Sequence, residues 1–215
     1  MIKLLKIIPK ETYLLISLML FIFAIPVAEH LVIKKFLFNI SYGIVLVSIY
    51  FITNKKSLFW NLLVSLNLLL IILMAFVGSV FLSLLTFFIS TITALISVVI
   101  LVFHIVKSKN VDLRLIIETI AGYLLIGTVM FFLNTILFRA NNTAFNIPNH
   151  STVQVMQDIM YYSFVTLTTI GYGDISPQSP AARVLSMFFG VAGQMYLALI
   201  VAFIMGKFLN KKSSQ

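Results

Sequence analysis

The chain has 215 residues, 61% of them hydrophobic and only 10% charged, with a formal net charge of +9. Soluble globular domains carry roughly 25% charged residues, so the composition excludes that class and points to a membrane protein. There is no cysteine, hence no disulfide and no thiolate metal site. The lysines sit in short clusters at the ends of apolar runs, a pattern of membrane topology and not of a nucleic-acid surface.

Lys3, Lys6 and Lys10 precede the first apolar run, about Tyr13 to Ala28. Glu11, the length of the run and the lack of a small-x-small cleavage site set it apart from a secretory leader. Pro26 should kink or loosen its last turn. Glu29, His30, Lys34 and Lys35 read as a short polar connection. A second run, Phe36 to Thr53, is broken by Asn54, Lys55, Lys56 and Ser57. From Leu58 to Val106 no residue is charged. As one helix this stretch would reach about 73 Å, against a bilayer core of about 30 Å. It must fold back once, with Gly78-Ser79 as the turn between a third span, 58–77, and a fourth, 80–106. A polar linker from Lys107 to Arg114 leads to a fifth span, Leu115 to Phe138.

Arg139 to His150 is polar, and Pro148 stops any helix there. Ser151-Thr152-Val153-Gln154 reads as a capping box, with Ser151 as N-cap. It opens a helix over 152–167, too short to span. Ser179 and Pro180 form the N-cap and first-turn proline of a sixth span, ending near Leu209 before Asn210-Lys211-Lys212. With the N-terminus in the cytoplasm, Lys and Arg number 11 in the inner segments and 4 in the outer ones. The positive-inside rule then predicts an even number of spans with both ends inside. The expected fold class is an all-α membrane protein of six transmembrane helices plus a re-entrant helix and loop.

Between the short helix and the sixth span lies Thr168-Thr169-Ile170-Gly171-Tyr172-Gly173-Asp174. A cation crossing a membrane must exchange water for other oxygens, and backbone carbonyls are the uncharged ones every residue has. A strand that turns successive carbonyls to one side alternates right- and left-handed backbone, which glycine tolerates best. Gly171 and Gly173 suit that role, and the Thr169 hydroxyl adds an oxygen at the inner end.

This segment resembles the selectivity filter of potassium channels, commonly TVGYG, with Ile170 in place of Val. The resemblance covers about 115–209. It implies K+ held by the carbonyls of Thr169, Ile170, Gly171 and Tyr172, with no cofactor besides the transported ion. It makes 152–167 a pore helix whose C-terminal dipole favours a cation. The Tyr172 ring should pack behind the filter. Tyr161-Tyr162 stand where the family has an aromatic pair, and Tyr161 is placed to bond Asp174. Val165 occupies a position where some members carry a glutamate, so a gate using that carboxylate is not expected. Gly193 matches the inner-helix hinge, with Gly190 as a second candidate. Gln194, Leu197, Val201 and Met205 then form one stripe facing the inner cavity.

One filter segment supplies a quarter of a ring, so the expected assembly is a homotetramer in lipid. The division is a four-helix, sensor-like unit at 1–114 and a pore domain at 115–215. The fourth span has no Lys or Arg between Val80 and Val106, so little voltage dependence is expected. The first three spans offer no buried carboxylate, Glu29 lying at an edge. His104 is expected at the membrane interface, and Glu118 paired with Arg114. The short linker favours each four-helix unit packing on its own pore module. No ligand-binding domain is expected after the last span, which leaves lipid or a separate cytoplasmic regulator for control. The competing readings are a less selective cation channel and a non-conducting regulatory or scaffold subunit. No motif suggests an enzyme.

Overall fold

The computed structural model describes residues 9–27, 31–53, 58–77, 79–108, 111–147 and 152–213. The regular elements among them are all helices: α1 (Lys10–Val27), α2 (Leu31–Thr53), α3 (Leu58–Phe76), α4 (Val80–Lys107), α5 (Leu113–Ala140), α6 (Thr152–Leu167) and α7 (Pro180–Ser213). Among the described residues, Val80–Lys107, Leu113–Ala140 and Pro180–Lys207 are long and apolar enough to cross a membrane. Phe36–Ile52 and Leu58–Met74 are shorter apolar helices.

Local chemistry sets the ends. Ser79 caps α4 by accepting from the Leu82 N–H at 3.5 Å. Asp112 caps α5 by accepting from the Leu115 N–H at 3.0 Å. That cap starts α5 two residues earlier than expected, so the connection from α4 shrinks to 108–112. Ser179 accepts from the Ala182 N–H at 3.2 Å and opens α7. Lys34 and Lys35, expected in a connection, lie in α2, since lysine is a good helix former. The expected N-cap Ser151 lies outside the described residues.

Lipid tails are as apolar as leucine, so burial of leucines cannot by itself bring membrane helices together. Close packing and internal hydrogen bonds must do it. Both converge on α5. Phe131 and Phe132 of α5 are buried in a ring cluster with Phe21 of α1, Phe38 and Tyr42 of α2, and Phe87 of α4. Centroid separations are 5.0 Å for Tyr42–Phe132, 6.0 Å for Phe38–Phe131 and 6.1 Å for Phe87–Phe132. Edge-on and tilted geometries of this kind suit the ring quadrupole. α1, α2 and α4 thus pack on α5 of the same chain, and α3 packs on α2 and α4.

The second device is a buried hydroxyl stripe on α4: Ser83, Thr86, Ser90, Thr93 and Ser97. Several of these hydroxyls bond carbonyls one turn back, as Thr86 does to Leu82 and Ser97 to Thr93. Asn67 of α3, fully buried, donates to Thr93 Oγ1 at 3.2 Å and accepts from Ser90 Oγ at 3.0 Å. Near the start of α4, Arg139 of α5 donates to Ser83 Oγ at 3.2 Å and lies over the Phe87 ring. Outward faces carry exposed aromatics such as Phe51, Phe59 and Phe81, as a lipid-facing surface requires.

Phe132→Ala should therefore destabilise the fold by about 3 kcal/mol, whereas Phe51→Ala, on the lipid face, should change it by less than about 0.5 kcal/mol. Unfolding in detergent, followed through the single tryptophan, Trp60, checks the contrast.

Candidate ion-conduction site

The Gly-rich segment begins where α6 ends. The N–H of Thr168 still donates to Phe164 O, and that of Thr169 to Thr166 O, both at 3.0 Å. The chain then reverses, and the N–H groups of Ile170 and Gly171 both donate to Val165 O, at 3.0 and 3.2 Å. Val165, expected as filter support, serves through its carbonyl. The Thr168 hydroxyl donates to Phe164 O at 2.7 Å.

From here φ is positive at every second residue: 62° at Thr169, 54° at Gly171 and 82° at Gly173. This is the alternation that turns carbonyls to one side. The glycine positions were legible in the sequence. Thr169 was not: a β-branched residue in this region costs about 1–2 kcal/mol. Its neighbours hold it there, since its hydroxyl oxygen accepts from Gln194 Nε2 of α7 at 3.3 Å. Ile170 and Tyr172 remain 55% and 70% exposed in the single chain, so the described residues leave both side chains largely uncovered and the Tyr172 ring is not packed away as expected.

The outer end is fixed by hydrogen bonds. Tyr161 Oη donates to Asp174 Oδ2 at 2.8 Å, and this bond raises the phenol above its usual pKa. Asp174 Oδ1 accepts from the Ile175 N–H at 3.0 Å. Asn146 donates its side-chain amide to Asp174 O at 3.3 Å and accepts from the Ser176 N–H. The Gln178 N–H donates to Ala144 O at 2.8 Å. Tyr162 faces the other way: it is buried, stacks edge-on with Phe145 and shares a short hydrogen bond with Ser186 of α7. The two adjacent tyrosines thus tie α6 to the loop and to α7 respectively. Asn146, Ser186 and Asn134, which donates to Ser163 Oγ at 2.9 Å, carried no sequence signal.

On α7 the helix runs unbroken through Gly190 and Gly193. A Cβ on Gly193 would lie 2.7 Å from Leu167 O, so this glycine lets α7 pass the end of α6. Gly190 has nothing within 4 Å. Leu167 O also accepts from Tyr123 Oη of α5 at 3.2 Å. Gln194, Leu197, Val201 and Met205 are exposed along one stripe, while Tyr196 and Ile200 turn inward onto α4 and α5.

Where the end of α4 meets the start of α5, two expectations are corrected. Glu118 does not pair with Arg114. Its Oε2 lies 2.7 Å from His104 Nδ1, and Arg114 pairs with Glu11 at 2.8 Å. Glu11, expected outside the first span and not weighed as a partner, is only 4% exposed in α1. A buried carboxylate needs a cation, and the start of α1 brings it beside Arg114. Also unforeseen is Lys207 of α7. It donates to the carbonyls of Ile105 at 2.9 Å and of Ser108 at the C-terminus of α4, where a cation is favoured.

Residues 118–210 match a family model described as an ion channel. The chain is 36% identical to "Two-pore potassium channel 1" of Arabidopsis thaliana over 93 residues, 43% of this chain and 23% of that one. It is 35% identical to "Two pore potassium channel b" of Oryza sativa subsp. japonica over 98 residues, 46% and 23% of the two chains. With "Potassium voltage-gated channel subfamily A member 5" of Rattus norvegicus it shares 31% over 86 residues, 39% and 14%. The matched part spans less than a quarter of each of these relatives. No solved structure matches the chain.

Gly193→Ala should destabilise the fold by forcing α7 away from Leu167, while Gly190→Ala should be neutral or stabilising by up to about 1 kcal/mol; thermal melts in detergent separate the two. Tyr161→Phe, which removes the bond to Asp174, should leave folding intact and lower the hydrogen-exchange protection of the Ile175 N–H, which the Asp174 carboxylate holds.

Proposed function

Because the chain is, through residues 118–210, a member of a potassium-channel family, we propose that four copies form a K+-selective channel that conducts passively. The observation that carries this reading is the alternating positive φ at Thr169, Gly171 and Gly173. The carbonyls of Thr169, Ile170, Gly171 and Tyr172, with the Thr169 hydroxyl, replace the hydration shell of K+. Gly173 lets the strand leave the site. The C-terminal dipole of α6 points its negative end toward the ion path. Supporting the fourfold arrangement, the 215 residues carry one such segment, and its Ile170 and Tyr172 side chains are open to neighbouring copies.

In this reading α1 to α5 and α7 are the six spans of a plasma-membrane protein, α6 is re-entrant, and both ends face the cytoplasm. Residues 1–114 form a sensor-like unit and 115–215 the pore domain, lined below the filter by Gln194, Leu197, Val201 and Met205. The close α4–α5 connection and the shared ring cluster favour each unit resting on its own pore domain. Voltage should matter little. Each charge crossing the field yields about 2.3 kcal/mol per 100 mV, and α4 carries hydroxyls where a sensor would carry arginines. Lys207 is the link through which the first four helices, lipid or a separate cytoplasmic regulator would act on α7.

The purified chain in liposomes should pass K+, exclude Na+ and show no steep dependence on voltage, and Gly173→Asp should abolish or relax that selectivity. Equal K+ and Na+ flux would make it a less selective cation channel. No flux at any pH or voltage would favour a non-conducting subunit.

A further inference from the structure

Thr168 and Thr169 carry the same hydroxyl and use it in opposite ways. The Thr168 hydroxyl donates to Phe164 O at 2.7 Å and is spent on the last turn of α6. The Thr169 hydroxyl oxygen instead accepts from Gln194 Nε2 of α7 at 3.3 Å. That donor is held in place from both sides. One residue before it, Gly193 lies against Leu167 O. Two residues after it, Tyr196 donates to Thr119 O at 2.9 Å, its phenol seated on Gly122. Between Arg183 and Lys207, Gln194 is the one exposed polar side chain of α7, since Ser186 and Tyr196 are buried. An amide on an otherwise apolar exposed face is costly against hydrocarbon, so this face of α7 borders a polar space at the level of Thr169.

A hydroxyl oxygen has two lone pairs. With one taken by the Gln194 N–H, a single pair is left for an ion, and the oxygen pulls on a cation less strongly than a free hydroxyl does. Weakly pulling oxygens favour the cation that sheds its water more easily, which is K+ and not Na+. The bond also keeps the hydroxyl from swinging inward to fit the smaller ion. We propose that Gln194 is a positioning residue that sets the preference for K+ over Na+ at the innermost oxygen of the filter, acting through the Thr169 hydroxyl. This role rests on the channel reading above, in which Thr169 faces the ion.

The test is isothermal titration of K+ and of Na+ into the full chain in detergent, with N-methylglucamine as the background cation. The wild type should bind K+ more tightly than Na+. Gln194→Met removes the donor with a side chain of similar size and helix propensity. It should lower the ratio of K+ to Na+ affinity about fivefold, the factor for one hydrogen bond, mainly through tighter Na+ binding. Tighter Na+ binding separates this role from loosened packing, which weakens both ions. In a Thr169→Val background, Gln194→Met should change nothing further. Gln194→Leu carries the same expectation and decides the matter if Gln194→Met does not fold. A wild type that prefers K+, with an unchanged ratio in the Gln194 variants, overturns the proposal and leaves the channel reading standing. Equal weakening of both ions overturns it too, as do effects of the two substitutions that simply multiply. A wild type without K+ preference overturns the channel reading and the proposal with it.

Discussion

A strand that turns its carbonyls to one side gives up their hydrogen bonds to the rest of the protein. From Thr169 to Gly173 the backbone can be held only at its ends and from behind. The inner end is anchored by two N–H groups converging on Val165 O, and by Gln194 reaching Thr169. The outer end is anchored by Tyr161 and Asn146 on Asp174. The positive φ of Thr169 persists because these anchors over-determine it.

That demand passes outward. Anchors on α6 are useful only if α6 is fixed. Tyr123 and Gly193 pin its C-terminal end at Leu167, and Asn134 and Tyr162 fix its middle to α5 and α7. In lipid, where apolar contact alone does not favour helix association, these polar ties and close approaches are what remain. The same principle shapes the first four helices: α1, α2 and α4 hold α5 through stacked rings, and α3 is tied to α4 by the Asn67–Ser90–Thr93 bonds.

At the inner end polar ties also join elements far apart in sequence. Lys207 caps α4 from α7, and His104–Glu118 joins α4 to α5 one turn away. The last turn of α4 therefore touches both the start of α5 and the end of α7. Movement of α4 relative to α5 and α7 must break or carry these contacts.

Much of this was legible in the chain. The apolar runs specify a helical membrane protein, because a lipid-exposed backbone must bond within itself. Gly171 and Gly173 specify the unusual backbone, since glycine alone adopts it freely. Ser179 and Pro180 lie where α7 begins, as their local capping pattern predicts, whereas the Asp112 cap that starts α5 was read as part of a linker. What the chain alone left open depends on which faces meet. The i, i+4 spacing of Arg114 and Glu118 suggested a pair, but both found partners on other helices, because a buried charge is matched by whatever packing brings nearest. The strained Thr169 has no local signature, since the residues that hold it lie on α6 and α7. Gly193 reads as a hinge in a single helix and as a contact once Leu167 lies against it. Local backbone preference was written in the sequence; the pairing of charges, hydroxyls and rings across helices was decided only by the tertiary packing, because each pair is set by the geometry of two elements at once.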